Sequence, residues 1–150
     1  DMVDLGVKGN LSDILASLLI VQLPKLEAYL SRREEIARQY EDAFSALPNV
    51  GFPRVPENSR SSRHLFTIWV DQRDRFLHEL QQRGIGVAVN YRPVHLLSYY
   101  REKYGYSSGL FPVAERIGAS TLSLPLYPSL TNTEVARVIV AVTEVANILA

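Results

Sequence analysis

The stretch that decides the fold runs from His64 to Tyr91, HLFTIWVDQRDRFLHELQQRGIGVAVNY. Its first seven residues, His64 to Val70, are rich in β-branched and aromatic side chains on both alternating faces, which predicts a strand covered on both sides. Asp71 then stands where a helix N-cap belongs, Phe76, Leu77 and Leu80 fall on one helical face, and Gly84 ends the helix. Ile85, Val87, Val89 and Tyr91 follow at period two, with Gly86, Ala88 and Asn90 opposite. That alternation predicts a second strand whose small-residue side lets another element approach closely. Strand, helix and strand, with helical patterns on either side, make an α+β domain.

Toward the N-terminus, Ser12-Asp13 offers an N-cap with an acid in the first turn. Ile14, Leu15, Leu18, Leu19, Val21 and Leu23 then cover nearly the whole circumference of a helix, which is expected to be buried on all sides, or else to drive self-association or leave a large apolar patch open. Pro24 should kink or divide it. Beyond Pro24, Leu26, Leu30, Ile36, Ala37, Tyr40 and Phe44 keep a helical stripe opposite Arg32, Arg33, Glu35 and Glu41, so one long broken helix ends near Leu47. Gly and Pro gather at Pro48 to Pro56, Gly105 to Pro112 and Pro125 to Pro128, the expected loops. Near the C-terminus Thr131-x-x-Glu134 is a capping box, and Val135, Val138, Ile139, Val142, Ala146 and Leu149 form the buried stripe of a last helix.

The 150 residues suit one domain with a core that needs no metal or disulfide. Lys and Arg number 16 and Asp and Glu 16, a net charge of +0 that argues against nucleic acid or an anionic membrane as the main partner. No uninterrupted apolar run reaches the roughly 20 residues of a membrane span. With no Cys and no cleavable signal pattern at Asp1, a cytoplasmic location is expected. The basic residues are mostly Arg; the three lysines are Lys8, Lys25 and Lys103.

Of the three histidines, His78 reads as surface and His64 as a structural residue opening its strand. His95 closes the segment Tyr91-Arg92-Pro93-Val94-His95, which gathers a hydroxyl, a guanidinium and an imidazole in one connection, as binding loops do. The residues alone leave it between ligand contact and loop packing. The histidines are too scattered for a metal site. Gly6-Val7-Lys8-Gly9-Asn10, ahead of the first helix, has the donors to hold a phosphate, or is an ordinary Gly-rich turn without the Walker spacing. Arg32-Arg33-Glu34-Glu35 reads as a solvated helix face, with Glu34 and Arg38 at pairing distance.

An ordered set of segments across the chain resembles the DegT/DnrJ/StrS family of nucleotide-sugar aminotransferases. They are Asp4 to Ile14 (DLGVKGNLSDI), Gln22-Leu23-x-Lys25-Leu26, Arg32-Arg33-x-x-Ile36-Ala37-x-x-Tyr40 and Arg83-Gly84-Ile85-Gly86-Val87. Asn90-Tyr91-Arg92-Pro93-Val94-His95, Tyr99-Tyr100, Phe111-Pro112-x-Ala114-Glu115 and Ser123-Leu124-Pro125-Leu126-Tyr127-Pro128 follow in order. Gly9, Pro24 and Asn90 depart from the family pattern.

The resemblance implies a fold-type I enzyme that uses pyridoxal phosphate (PLP) to move an amino group from glutamate or glutamine to a keto sugar on a nucleotide. It implies a homodimer with its site at the subunit interface. On this reading residues 1–150 are a single C-terminal domain, with a cofactor-contact segment and long helix at 1–47 and an α+β small domain at 48–150. The large domain bearing the Schiff-base lysine would lie upstream of Asp1, since Lys8, Lys25 and Lys103 all lack that context. Asn10 and Lys8 are then expected to reach the cofactor phosphate, and Tyr91, Arg92 and His95 the nucleotide sugar. No catalytic residue falls in this chain, and alone it is expected to be inactive. The alternative is a free-standing, non-catalytic binding or dimerisation module of the same fold.

Overall fold

The computed structural model describes residues 9–150, so Lys8 lies outside the described residues. Two helices in line open the chain: α1 (Asp13–Gln22) and α2 (Leu26–Phe44), joined by a 3-10 turn at Leu23–Lys25. Ser12 caps α1 through its hydroxyl, which accepts from the Leu15 amide at 3.3 Å. Pro24 has no N–H to continue an α-helical ladder, and the tighter turn sits at that residue.

The two helices differ in where they go. Ile36, Ala37, Tyr40 and Phe44 turn one stripe of α2 into the core. No residue of α1 is buried, which corrects the expectation of burial on all sides: Ile14 and Ile20 leave 77% and 70% of their surface open. The physical reason is position. α1 projects beyond Pro24, where the described chain has nothing to lay against it. The run Asp13–Phe44 has the length and, over an 18-residue window, the composition of a membrane span, a broader measure than an uninterrupted apolar run.

A small antiparallel sheet of order β1-β2-β3 packs behind α2. β1 (Val50–Gly51) pairs Val50 with Val70, and β3 (Thr121–Leu124) pairs Leu124 with Phe66 and Thr121 with Trp69 across β2 (Phe66–Val70). Phe66, Ile68 and Val70 are buried while Thr67 and Trp69 are half-buried, so the strand is fully covered on one face only. Tyr40 stacks on Phe44 at 5.6 Å and meets Phe66 edge-on at 5.1 Å, locking α2 to β2. Arg63, buried and at φ +46, donates to Glu34 at 2.7 Å and Glu41 at 2.9 Å, clasping the loop before β2 to α2.

Helix α3 (Arg73–Gln82) carries Phe76 and Leu80 into the same core. Its N-cap is Gln72 at φ +51 with no side-chain bond, not Asp71 as the sequence suggests. At its other end the Gly84 amide reaches Gln81 and the Ile85 amide reaches Leu80, a Schellman ending that needs Gly84 at φ +73. The expected strand from Ile85 to Tyr91 reduces to one bridge, Ala88 to Ser123, with bonds of 3.3 and 2.8 Å. Alternation there records an extended path, and the Ala88 to Ser123 exchange is its pairing with β3.

A 3-10 turn (Val94–Leu96) and helices α4 (Ser98–Tyr104) and α5 (Pro112–Ser120) lead into β3. The last helix, α6 (Asn132–Ile148), starts at the expected capping box, with both Thr131–Glu134 bonds present. It buries Val135, Val138, Ala141, Val142, Val145 and Ala146, closing the core over α2 and α3.

Candidate functional site

The Tyr91–His95 segment is a short span held at both ends. On one side the Ala88–Ser123 bridge ties it to β3, and the Thr121 hydroxyl lies 3.5 Å from the Asn90 carbonyl. The Asn90–Tyr91 peptide is cis. Tyr91 and Arg92 are exposed, and Arg92 makes no hydrogen bond among the described residues. On the other side Pro93 and His95 press against α5.

His95 does not share that exposure: it is 7% exposed, edge-on to Phe111 at 4.8 Å, with Nε2 2.9 Å from Glu115 Oε1. A carboxylate can only accept, so Nε2 carries the hydrogen and Nδ1 is the nitrogen left for anything else. Glu115 also accepts from Ser108 Oγ at 2.9 Å and from the amides of Gly109 at 2.8 Å and Phe111 at 3.3 Å. The His95 imidazole first, and then these neighbours, hold its pKa down at about 2.

One turn further along α5, Gly118 faces Pro93. A Cβ placed on Gly118 would lie 2.5 Å from Pro93 Cδ, so only glycine fits. The loop before α5 is lined with rings: Tyr100 stacks on Tyr104, Tyr104 on Tyr106, and Tyr106 meets Phe111 edge-on. Lys103 Nζ is 2.7 Å from the Tyr99 hydroxyl and over the Tyr99 ring at 5.1 Å, a cation committed to its own helix.

Asn10 lies two residues ahead of the Ser12 cap, exposed at the free end of α1. It makes no bond to the Tyr91–His95 segment among the described residues. The structure thus brings Tyr91, Arg92 and His95 into one loop, while Asn10 is exposed ahead of α1. His64 and His78 are both exposed. No group of His, Asp or Glu that could hold a metal occurs among the described residues. A groove of about 520 Å³ runs between α2 and the loop before β2 and is bordered by Glu34, Glu41, Arg54, Glu57 and Arg63. It belongs to the Arg63 clasp, and no residue of the Tyr91 loop lines it.

Glu115 and Gly118 are what residue-by-residue reading passed over. The signal was present in part: Pro112 at a helix start with an acid in the first turn marks a carboxylate able to reach back to the preceding amides.

The sequence profile of the DegT/DnrJ/EryC1/StrS aminotransferase family matches residues 1–143. The chain belongs to this family. The spore coat polysaccharide biosynthesis protein SpsC of Bacillus subtilis is 37% identical over 93% of this chain and 38% of its own length. DesV of S. venezuelae, solved in complex with a ketimine intermediate, is 32% identical, with a TM-score of 0.88 over 96% of this chain and 39% of that one. The putative sugar aminotransferase Spr1654 of Streptococcus pneumoniae, in its PMP form, is 30% identical with a TM-score of 0.88 over 100% of this chain and 39% of its own; it is also solved in a PLP form. The chain spans about two-fifths of the curated relatives it matches. These likenesses bear out the α+β, fold-type I architecture expected from the family's segments.

Proposed function

We propose that this chain is the part of a PLP-dependent sugar aminotransferase that faces the cofactor phosphate and the nucleotide-linked keto sugar, with glutamate or glutamine as amino donor. The observation that carries the reading is the exposed Tyr91–Arg92 pair, presented by a loop fixed on both sides, in a chain of this family. Residues 1–47 then form the cofactor-contact segment and long helix, and 48–150 the small domain. A homodimer in the cytoplasm, where nucleotide sugars are made, completes the picture.

The donor set fits one edge of PLP. Asn10 offers an amide beside a helix start, suited to phosphate, and Lys8 precedes it in the sequence. The imine nitrogen needs a lysine from elsewhere: Lys25 lies about 20 Å along the helical run from Asn10 by helix rise, and Lys103 is held by Tyr99. PLP, when bound, supplies the electron sink for amino transfer. This chain's residues bind and orient. Arg92 pairs with a diphosphate in a bidentate fork, Tyr91 donates to a phosphate or sugar hydroxyl, and His95 reaches substrate only through Nδ1. Accordingly the isolated chain has no transaminase activity. Visible absorbance from added PLP that a single lysine change removes would overturn that.

In a full-length enzyme, Arg92→Ala should raise KM for the nucleotide sugar roughly tenfold or more, the loss of a charge-assisted contact, and Tyr91→Phe less. Unchanged kcat/KM in both would refute the loop as a substrate site. A non-catalytic module of the same fold is favoured only by the lack of a suitable lysine among the described residues. A reading frame upstream of Asp1 that encodes a Ser-x-x-x-x-Lys cofactor segment decides against it.

A further inference from the structure

We infer that α5 is the positioning element of the substrate loop, with Glu115 and Gly118, one helical turn apart, as the two residues that set where Tyr91 and Arg92 point. The inference rests on the reading of that loop as a sugar-nucleotide contact.

Three observations carry it. Glu115 is bonded in two directions: His95 on one side, Ser108, Gly109 and Phe111 on the other. A carboxylate with both oxygens engaged by four partners has little freedom left, and it joins the end of the substrate loop to the segment before α5. Gly118 adds a steric stop. It stands inside a helix, where glycine is an unfavourable choice, and its bare Cα is in contact with the Pro93 ring. Any side chain there must push Pro93, and with it the adjacent Arg92. Third, among the described residues nothing else holds the Tyr91 and Arg92 side chains: both are exposed, and the backbone ahead of them is secured only by the Thr121 hydroxyl at the Asn90 carbonyl and the bridge at Ala88. The chain from Ala88 to His95 is therefore a short bridge with one abutment on β3 and the other on α5.

A polar latch and a shape contact on the same helix face make the loop's position a property of α5. Glu115 acts through His95, and Gly118 through Pro93, so neither needs to touch substrate. This also explains why a histidine in a binding loop is buried: its Nε2 serves the latch, and the groups free to meet a diphosphate are those just before Pro93.

The test uses the full-length holoenzyme and five forms: unaltered, Arg92→Ala, Glu115→Gln, Gly118→Ala, and Gly118→Ala with Pro93→Ala. Expected are a rise of about tenfold in KM for the nucleotide sugar in Glu115→Gln and Gly118→Ala, with KM for the amino donor nearly unchanged in both and the melting temperature nearly unchanged in Gly118→Ala, and recovery in the Gly118→Ala/Pro93→Ala double variant, where the smaller residue makes room. If Arg92→Ala raises that KM but Glu115→Gln and Gly118→Ala do not, the positioning role of α5 is wrong and the loop reading survives. If Arg92→Ala has no effect either, the loop reading falls and takes this inference with it. A rise in KM that follows a fall in melting temperature, and that Pro93→Ala does not reverse, also overturns the role. Amide exchange in the same holoenzyme gives an independent reading: residues 91–97 should exchange faster in Glu115→Gln while α6 is unaffected, and equal exchange in both segments refutes the latch.

Discussion

The two halves of the opening helical run invert the usual relation between composition and burial. α1 is apolar almost all round and buries nothing, whereas α2 is rich in Arg and Glu and buries four residues. What separates them is period. In α2 the apolar residues Ile36, Ala37, Tyr40 and Phe44 repeat on one face, which the chain's own sheet and last helix can cover, and the opposite face is left to charge. In α1 no face is polar enough to be the outer one. Its apolar content is fitted to a surface that the described residues do not supply, and a contiguous patch of this kind marks an interaction site.

The largest test of this contrast is a matched pair of truncations. Phe44→Ala should lower unfolding free energy by about 3–5 kcal/mol, while Leu18→Ala, at an exposed α1 position, should stay within about 0.5 kcal/mol. Urea unfolding of the two variants measures it, and similar losses would mean that α1 is part of the core. Changing Ile14, Leu18 and Ile20 together to Ser should likewise spare stability but shift sedimentation toward monomer if the patch drives association.

A smaller effect sharpens the role of charge on α2. Arg63→Ala removes a guanidinium shared by Glu34 and Glu41 and should cost about 1–3 kcal/mol in the same unfolding measurement. The Arg63 hydrogen bond and charge hold Glu34 below its usual range.

The smallest effect is a pH dependence that should touch α2 and α5 but not α1. Glu115 is held at about 2 and Glu34 is lowered, so in each the folded carboxyl titrates below the unfolded one. The stability they contribute is therefore complete above the unfolded value near 4.5 and is lost as pH falls toward the folded values. Monitored by NMR from pH 5 to pH 2, the Gly109 and Phe111 amides should lose protection in this window. Loss that begins well above pH 5 would assign the protection to another group.

Legibility in the sequence followed locality. The capping box at Thr131, the stop at Gly84 and the division at Pro24 depend on residues within one turn of each other, and all three are where the sequence puts them. The all-round apolar α1 was readable as a helix that needs a cover, and as an open patch where this chain does not supply one; what composition does not encode is which surface lies opposite. The strand expected from Ile85 to Tyr91 shrank to a bridge because alternation predicts an extended path, while a ladder also requires a partner running alongside. The cap at Gln72 and the left-handed Arg63 leave no signature, since neither residue type favours positive φ. In the candidate site, Tyr91 and Arg92 were legible as part of a connection that gathers binding groups, but the exposure of Tyr91 was not, since alternation put it on the apolar side of a strand. His95 was ambiguous because its partner Glu115 lies 20 residues away and meets it only through the turn of α5.

The Pro24 turn has a consequence for proteolysis. Without an N–H at Pro24 the hydrogen-bond ladder is interrupted, so α1 can open without loosening α2, whose hold on the core begins at Ile36. A helix of 10 residues with no packing partner among the described residues is marginal in water, and its open form exposes the Lys25–Leu26 bond to trypsin. Cleavage there would detach the apolar segment and leave the sheet, α3, α5 and α6 joined to α2. The chain thus carries its most adhesive surface on a piece that can be cut away from its core.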